Sequence, residues 1–140
     1  MSANQIEQIL PNLKAAGYRV TGPATPRYNC FAWAGNDTEH WWQPVDLHGF
    51  YWPQEVAKEL NLENLMSVYK RRGYRPCSTA DLQPGVEKIA IYIGLDGTPT
   101  HVARQLSSGN WTSKLGDLED IEHSTLDALR VTTERFDSFS

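Results

Sequence analysis

Cysteine is scarce in this chain: Cys30 and Cys77 are the only two among 140 residues. A disulfide framework is therefore excluded as the organising principle, and reduced thiols are expected. No run approaches the eighteen or so apolar residues of a membrane span. Met1-Ser2-Ala3-Asn4-Gln5 also lacks the charged start and apolar core of a signal peptide. Membrane insertion is not expected, and the cytoplasm is the expected location. Positive charge is not in excess either. The formal net charge is -4 and there is no acidic tail, so the electrostatic footprint of a nucleic-acid binder is missing. The one basic run, Lys70-Arg71-Arg72 with Arg75, falls where a helix should end, and cations are favoured there. Close pairs of Cys or His, one to four residues apart, are absent. Cys30, Cys77, His101 and His123 are the best zinc set available, and their spacing argues against one. No metal and no cofactor are expected.

What is present is ordinary globular material. Hydrophobic residues make up 40% and charged residues 21%, enough for one folded domain over residues 1–140. Ile6, Ile9, Leu10 and Leu13 recur at helical spacing from about Asn4 to Ala16, with Pro11 as a kink or restart and Gly17 as a stop. Tyr18-Arg19-Val20-Thr21 reads as a short strand. Pro53 suits the first turn of one helix, and Leu62, Leu65, Met66 and Tyr69 mark another that ends before Gly73. Lys88 to Ile93 is a continuous apolar run rich in β-branched residues, the pattern of a central strand covered on both faces. Turns then lead into Thr100–Leu106 and Asn110–Lys114, giving an antiparallel meander. Ser124-Thr125-Leu126-Asp127 has capping-box spacing before a last short helix. The fold class is α+β, a short antiparallel sheet packed against helices.

The chemistry centres on Cys30. Asn29 reads as an N-cap and Gly35 as a stop, which puts Cys30 at the first position of a short helix. Backbone N–H groups and the helix dipole favour a thiolate there, and the same groups can hold an oxyanion. A distant strand histidine is the natural base, because nucleophile and base in this chemistry meet through the fold. His101 fits, with Ala103 beside it on its face leaving room for a facing helix. A third group orients the imidazole: Ser113, with Asn110, Asp120, Glu122 and His123 as rivals. Turn geometry discriminates. A three-residue Ser107-Ser108-Gly109 connection with Gly109 left-handed puts Trp111 and Ser113 on the His101 face, whereas a Gly109-Asn110 turn puts Thr112 and Lys114 there. Trp41 and Trp42 are candidates to wall a substrate groove, and Trp111 joins them if the first turn holds. Cys77, after Pro76 in a loop, carries no such signal.

Tyr28-Asn29-Cys30-Phe31-Ala32-Trp33-Ala34, Lys88-Ile89-Ala90-Ile91-Tyr92, Thr100-His101-Val102-Ala103-Arg104-Gln105-Leu106, Trp111-Thr112-Ser113-Lys114-Leu115-Gly116 and Asp120-Ile121-Glu122-His123 together resemble an uncharacterised family of small bacterial proteins. The order of cysteine helix and then antiparallel strands bearing a histidine is similar to the papain-like superfamily, including its cell-wall amidase branch. That resemblance implies a cysteine hydrolase of peptidase, amidase or deamidase type, with Cys30 as nucleophile and His101 as base. No papain-type glutamine precedes Cys30 at the usual distance, so the Cys30 N–H and the Asn29 or Tyr28 side chains stand in as oxyanion donors. The substrate would be a peptide or another amide. The competing reading is a non-catalytic module that binds a protein partner through the aromatic 40–53 loop, with Cys30 buried and inert.

Overall fold

The computed structural model describes residues 6–8, 10–130 and 135–140, with 135–138 known by backbone alone. Its frame is a six-stranded, wholly antiparallel sheet. Strands β4 (Ile89–Ile93), β5 (Pro99–Gln105), β6 (Trp111–Lys114) and β7 (Asp120–His123) follow one another as a meander. β1 (Tyr18–Gly22) adds outside β7 and β8 (Arg135–Phe139) outside β4, so the spatial order is β1-β7-β6-β5-β4-β8. The three-strand meander read from the sequence is thus the middle of a larger sheet. A separate two-stranded ribbon joins β2 (Trp41–Trp42) and β3 (Phe50–Tyr51) in parallel.

Helices cover both faces. On the near face lie α2 (Cys30–Ala34) and α3 (Leu62–Lys70), packed with Trp42 and Val56 over Ile89, Ile91, Ile93 and Val102. On the far face α1 (Asn12–Ala16) and a 3-10 turn (Leu126–Leu129) join Ile6 over Ala90, Tyr92, Ala103, Trp111 and Ile121. Period-two alternation sends odd β4 residues to one core and even ones to the other. All five are buried, as a strand covered on both sides requires.

Local chemistry explains most element ends. Pro11 precedes α1 as its N-cap and the Gly17 N–H closes it on Leu13, so the proline restarts the helix. Residues 4, 5 and 9 of the expected first helix lie outside the described set. Asn61 caps α3 by accepting the Asn64 N–H at 2.8 Å, with Leu65, Val68 and Tyr69 inward. No helix follows Pro53. Val56 is the only buried residue in 54–61, so that stretch has no apolar stripe to stabilise helix nucleation. The capping box at Ser124 is also absent. The last turn starts after Thr125 with no side-chain cap, and the Thr125 carbonyl is taken by His123.

Candidate functional site

Cys30 opens α2, as the sequence reading requires. Asn29 is its N-cap, with Oδ1 accepting the Ala32 N–H at 3.1 Å and the Trp42 N–H at 3.2 Å, and Nδ2 donating to the Trp42 carbonyl at 2.9 Å. These bonds fasten β2 to the helix start. They also commit the Asn29 amide to structure, so it is not a free oxyanion donor. Gly35 ends α2 against Trp42, whose ring lies 2.5 Å from where a Cβ would stand. Trp42 is wholly buried, donates Nε1–H to Asp37 and carries the Arg72 guanidinium 4.7 Å from its ring centroid. It is a core residue and walls no groove. Trp41 stays half-buried on the ribbon, bonded to Gln43.

The sulfur of Cys30 sits on the near face, where the backbone N–H groups of Val102, Phe31 and Cys30 itself favour its ionised form. Burial outweighs them, together with the attraction of Lys114, and pushes the thiol up to about 11. At neutral pH this sulfur is a protonated thiol.

His101 lies on the other side. Its register partner is Tyr92, and the two rings meet edge to face at 5.3 Å in the far core. Val102, the next residue, faces Cys30. The imidazole Nε2 is buried without a hydrogen-bond partner, and burial, with His123 nearby, pushes the group down to about 3. Cys30 and His101 therefore flank β5 from opposite faces, and no hydrogen bond joins them. The expected space beside Ala103 is filled by the far core, with Tyr92 and Trp111, and not by α2.

The turn question resolves toward the three-residue loop. Gly109 has φ +94°, and its N–H closes on the Leu106 carbonyl at 2.9 Å. Trp111 and Ser113 consequently share the His101 face, as expected for that turn. Trp111 is packed into the far core. Ser113 does not orient His101. Its hydroxyl donates to His123 Nε2 at 2.8 Å, while His123 Nδ1–H donates to the Thr125 carbonyl at 2.8 Å, which sets the tautomer. Burial holds His123 down at about 4. Of the other rivals, Glu122 is held at the surface by Asn110 and by the Arg19 guanidinium, and Asp120 points to the near face.

The same parity brings Thr112, Lys114 and Asp120 under α2. Trp33 Nε1–H donates to Thr112 at 3.0 Å, and Tyr28 donates its hydroxyl to Asp120 at 3.1 Å while stacking on Trp33. Lys114 is completely buried, a rare state for lysine. Its place beside the cysteine helix was legible only in the alternation of Trp-Thr-Ser-Lys along β6. Among the described residues no group of three or more His, Cys, Asp or Glu is arranged to hold a metal ion. No helix among them is long and apolar enough to cross a membrane.

Architecture and site together define a mixed α+β domain with two polar centres separated by one sheet. The chain belongs to a family described as a domain of unknown function, DUF7689, whose model matches residues 19–135. No curated protein and no solved structure matches it.

Proposed function

We propose that this domain is a protein-binding module whose contact surface is the aromatic ledge over residues 40–53. What carries the reading is the contrast within that ledge. Trp42 is wholly buried and bonded at its backbone and indole, so the ledge is anchored. Leu47 and Phe50 stand outward from it at 64% and 36% exposure. A rigid apolar projection loses little entropy on docking, which suits an interface. Beside it a cavity of about 340 Å³, with Asp37, His40, Tyr51 and Arg72 in its wall, offers polar groups of both signs. The partner is a protein or peptide that presents apolar side chains to Leu47 and Phe50 and a polar one to this cavity.

The test is photo-crosslinking from benzoylphenylalanine placed at Phe50, in the cell that naturally makes the protein. Leu95, 85% exposed on the β4–β5 turn, is the control position. A discrete adduct from position 50 that is absent from position 95 and lost with Leu47→Asp supports the reading. The same adducts from both positions, or none from position 50, overturn it.

A thiol hydrolase on a papain-like plan is the second reading. It is favoured by one observation: the Val102 amide beside the Cys30 sulfur belongs to the residue that follows His101, whose Nε2 has no partner. Buried unpaired nitrogens call for an explanation, and a catalytic role is one. In that reading His101 takes the Cys30 proton and the thiolate attacks an amide or ester carbonyl of a peptide-like substrate. The C–N or C–O bond breaks as His101 returns the proton to the departing amine or alcohol, leaving an acyl-enzyme that water hydrolyses. It requires the imidazole to reach the near face. The two free cysteines fit a reducing compartment such as the cytoplasm under either reading.

A further inference from the structure

Between β1 and α2 the chain runs through residues 22–28, and its inner side is fastened to the sheet by two buried charges. Asp120 is almost fully buried and accepts two hydroxyls, one from the β1 residue just before this segment and one from the segment's last residue. Thr21 donates to Oδ1 at 2.5 Å and Tyr28 to Oδ2 at 3.1 Å. Lys114 is the register partner of Asp120 on β6. Its Nζ donates to the Thr25 carbonyl at 2.8 Å, in the middle of the segment, and to Gly116 at 2.6 Å. The same ammonium lies 5.1 Å from the Tyr28 ring centroid. A Cβ on Gly22 would overlap the Asp120 carboxylate, so this close approach depends on glycine. Pro23, Ala24, Pro26 and Arg27 face solvent on the outer side. The segment is thus held from beneath at its two ends and its middle, and its last tied residue, Tyr28, comes two positions before Cys30.

We propose that residues 22–28 form a strap locked over the start of α2 by the Lys114–Asp120 pair, and that this lock is what withholds the Cys30 sulfur from solvent. The strap buries little apolar surface before Tyr28, since Pro23, Ala24 and Pro26 stay exposed, so its closure rests on charge-assisted hydrogen bonds rather than on burial. Segments held in this way open locally without global unfolding. The device goes beyond the binding reading and holds whether or not the thiol has a catalytic use.

Two readouts on the native protein test it. Arg27 gives trypsin a cleavage point within the strap, with exposed Arg71 as the internal reference. Cys30 alkylation by iodoacetamide reports access to the sulfur, with Cys77 as reference. Lys114→Met and Asp120→Asn should each accelerate both reactions by about tenfold or more, the loss expected for a hydrogen bond to a charged group. Tyr28→Phe and Thr21→Val each remove one hydroxyl donor to the Asp120 carboxylate and should accelerate them by about tenfold on the same basis. Near-UV circular dichroism confirms that each variant is folded. If Lys114→Met does not fold, the two hydroxyl variants decide on the same criteria. Unchanged or slower alkylation of Cys30 in folded variants overturns the proposal, and slower alkylation would make Lys114 a counter-ion for the thiolate instead.

Discussion

The ionisation of Cys30 is where the two functional readings separate, and the structure sets the size of the difference. An ordinary thiol titrates near 8.5, whereas burial places Cys30 at about 11. At pH 7.5 such a thiol holds roughly 300-fold less thiolate than an ordinary one, and thiolate is the species that alkylates. Restricted access slows the reaction further. The assay is iodoacetamide labelling across pH 6 to 10, with peptide mass spectrometry following Cys30 and Cys77 separately. The expected Cys30 rate is still rising at the upper end of that range and is unchanged by His101→Ala, because that ring lies across the sheet. An apparent pKa below 7.5 that His101→Ala abolishes would refute this reasoning and restore the Cys-His hydrolase.

Gly35→Ala should destabilise the domain by about 1–3 kcal/mol in urea unfolding, because the new methyl meets the immobile Trp42 ring; an effect below half a kcal/mol would mean that the ring yields. Asn29→Ala should cost about 2 kcal/mol or more, since it removes a cap and also leaves the buried Trp42 N–H and C=O without that amide. Stability should fall as pH drops below about 6.5. His123 is held neutral down to about 4 in the fold while the unfolded chain protonates near 6.5, so the unfolded state binds more protons in that window. At pH 5 the loss from this one group is about 2 kcal/mol; equal unfolding midpoints at pH 7 and pH 5 would contradict it.

Much of the frame was legible in the sequence because local chemistry and tertiary need agree there. Lys88 to Ile93 reads as a doubly covered strand, and Ile89–Ile93 is one. Asn29 and Gly35 delimit α2 as their types suggest. The left-handed Gly109 selects the three-residue turn over the two-residue one, and so puts Ser113 on the His101 face as that turn requires. The helix after Pro53 failed because a proline signals a helix start only if a buried stripe follows. The pairing of β1 with β7 and of β8 with β4 is non-local and leaves no periodic mark. Alternation puts Ser113 on the His101 face, but its hydroxyl bonds His123, since pairing across a sheet depends on neighbours that sequence spacing does not name.

Residue order placed Cys30 and His101 in one site, but strand parity divides them. In β5 alternate side chains leave by opposite faces, so whichever core accepts Val102 must exclude His101. Val102 packs with Ile91 and the cysteine helix, and Ala103 is small enough to lie between Tyr92 and Trp111. Exchanging them would force a valine against two aromatic rings and leave a gap of two methyl groups under α2, which native packing density does not tolerate. Register already slips by one residue just before this point, where Tyr92 pairs with His101 but Ile93 pairs with Pro99, leaving Thr100 as the extra residue. The slip is absorbed there and regular pairing resumes at His101. The histidine is therefore held on the far face by the packing of its two successors, and a Cys-His pair would need β5 to carry that extra residue beyond His101 instead of before it.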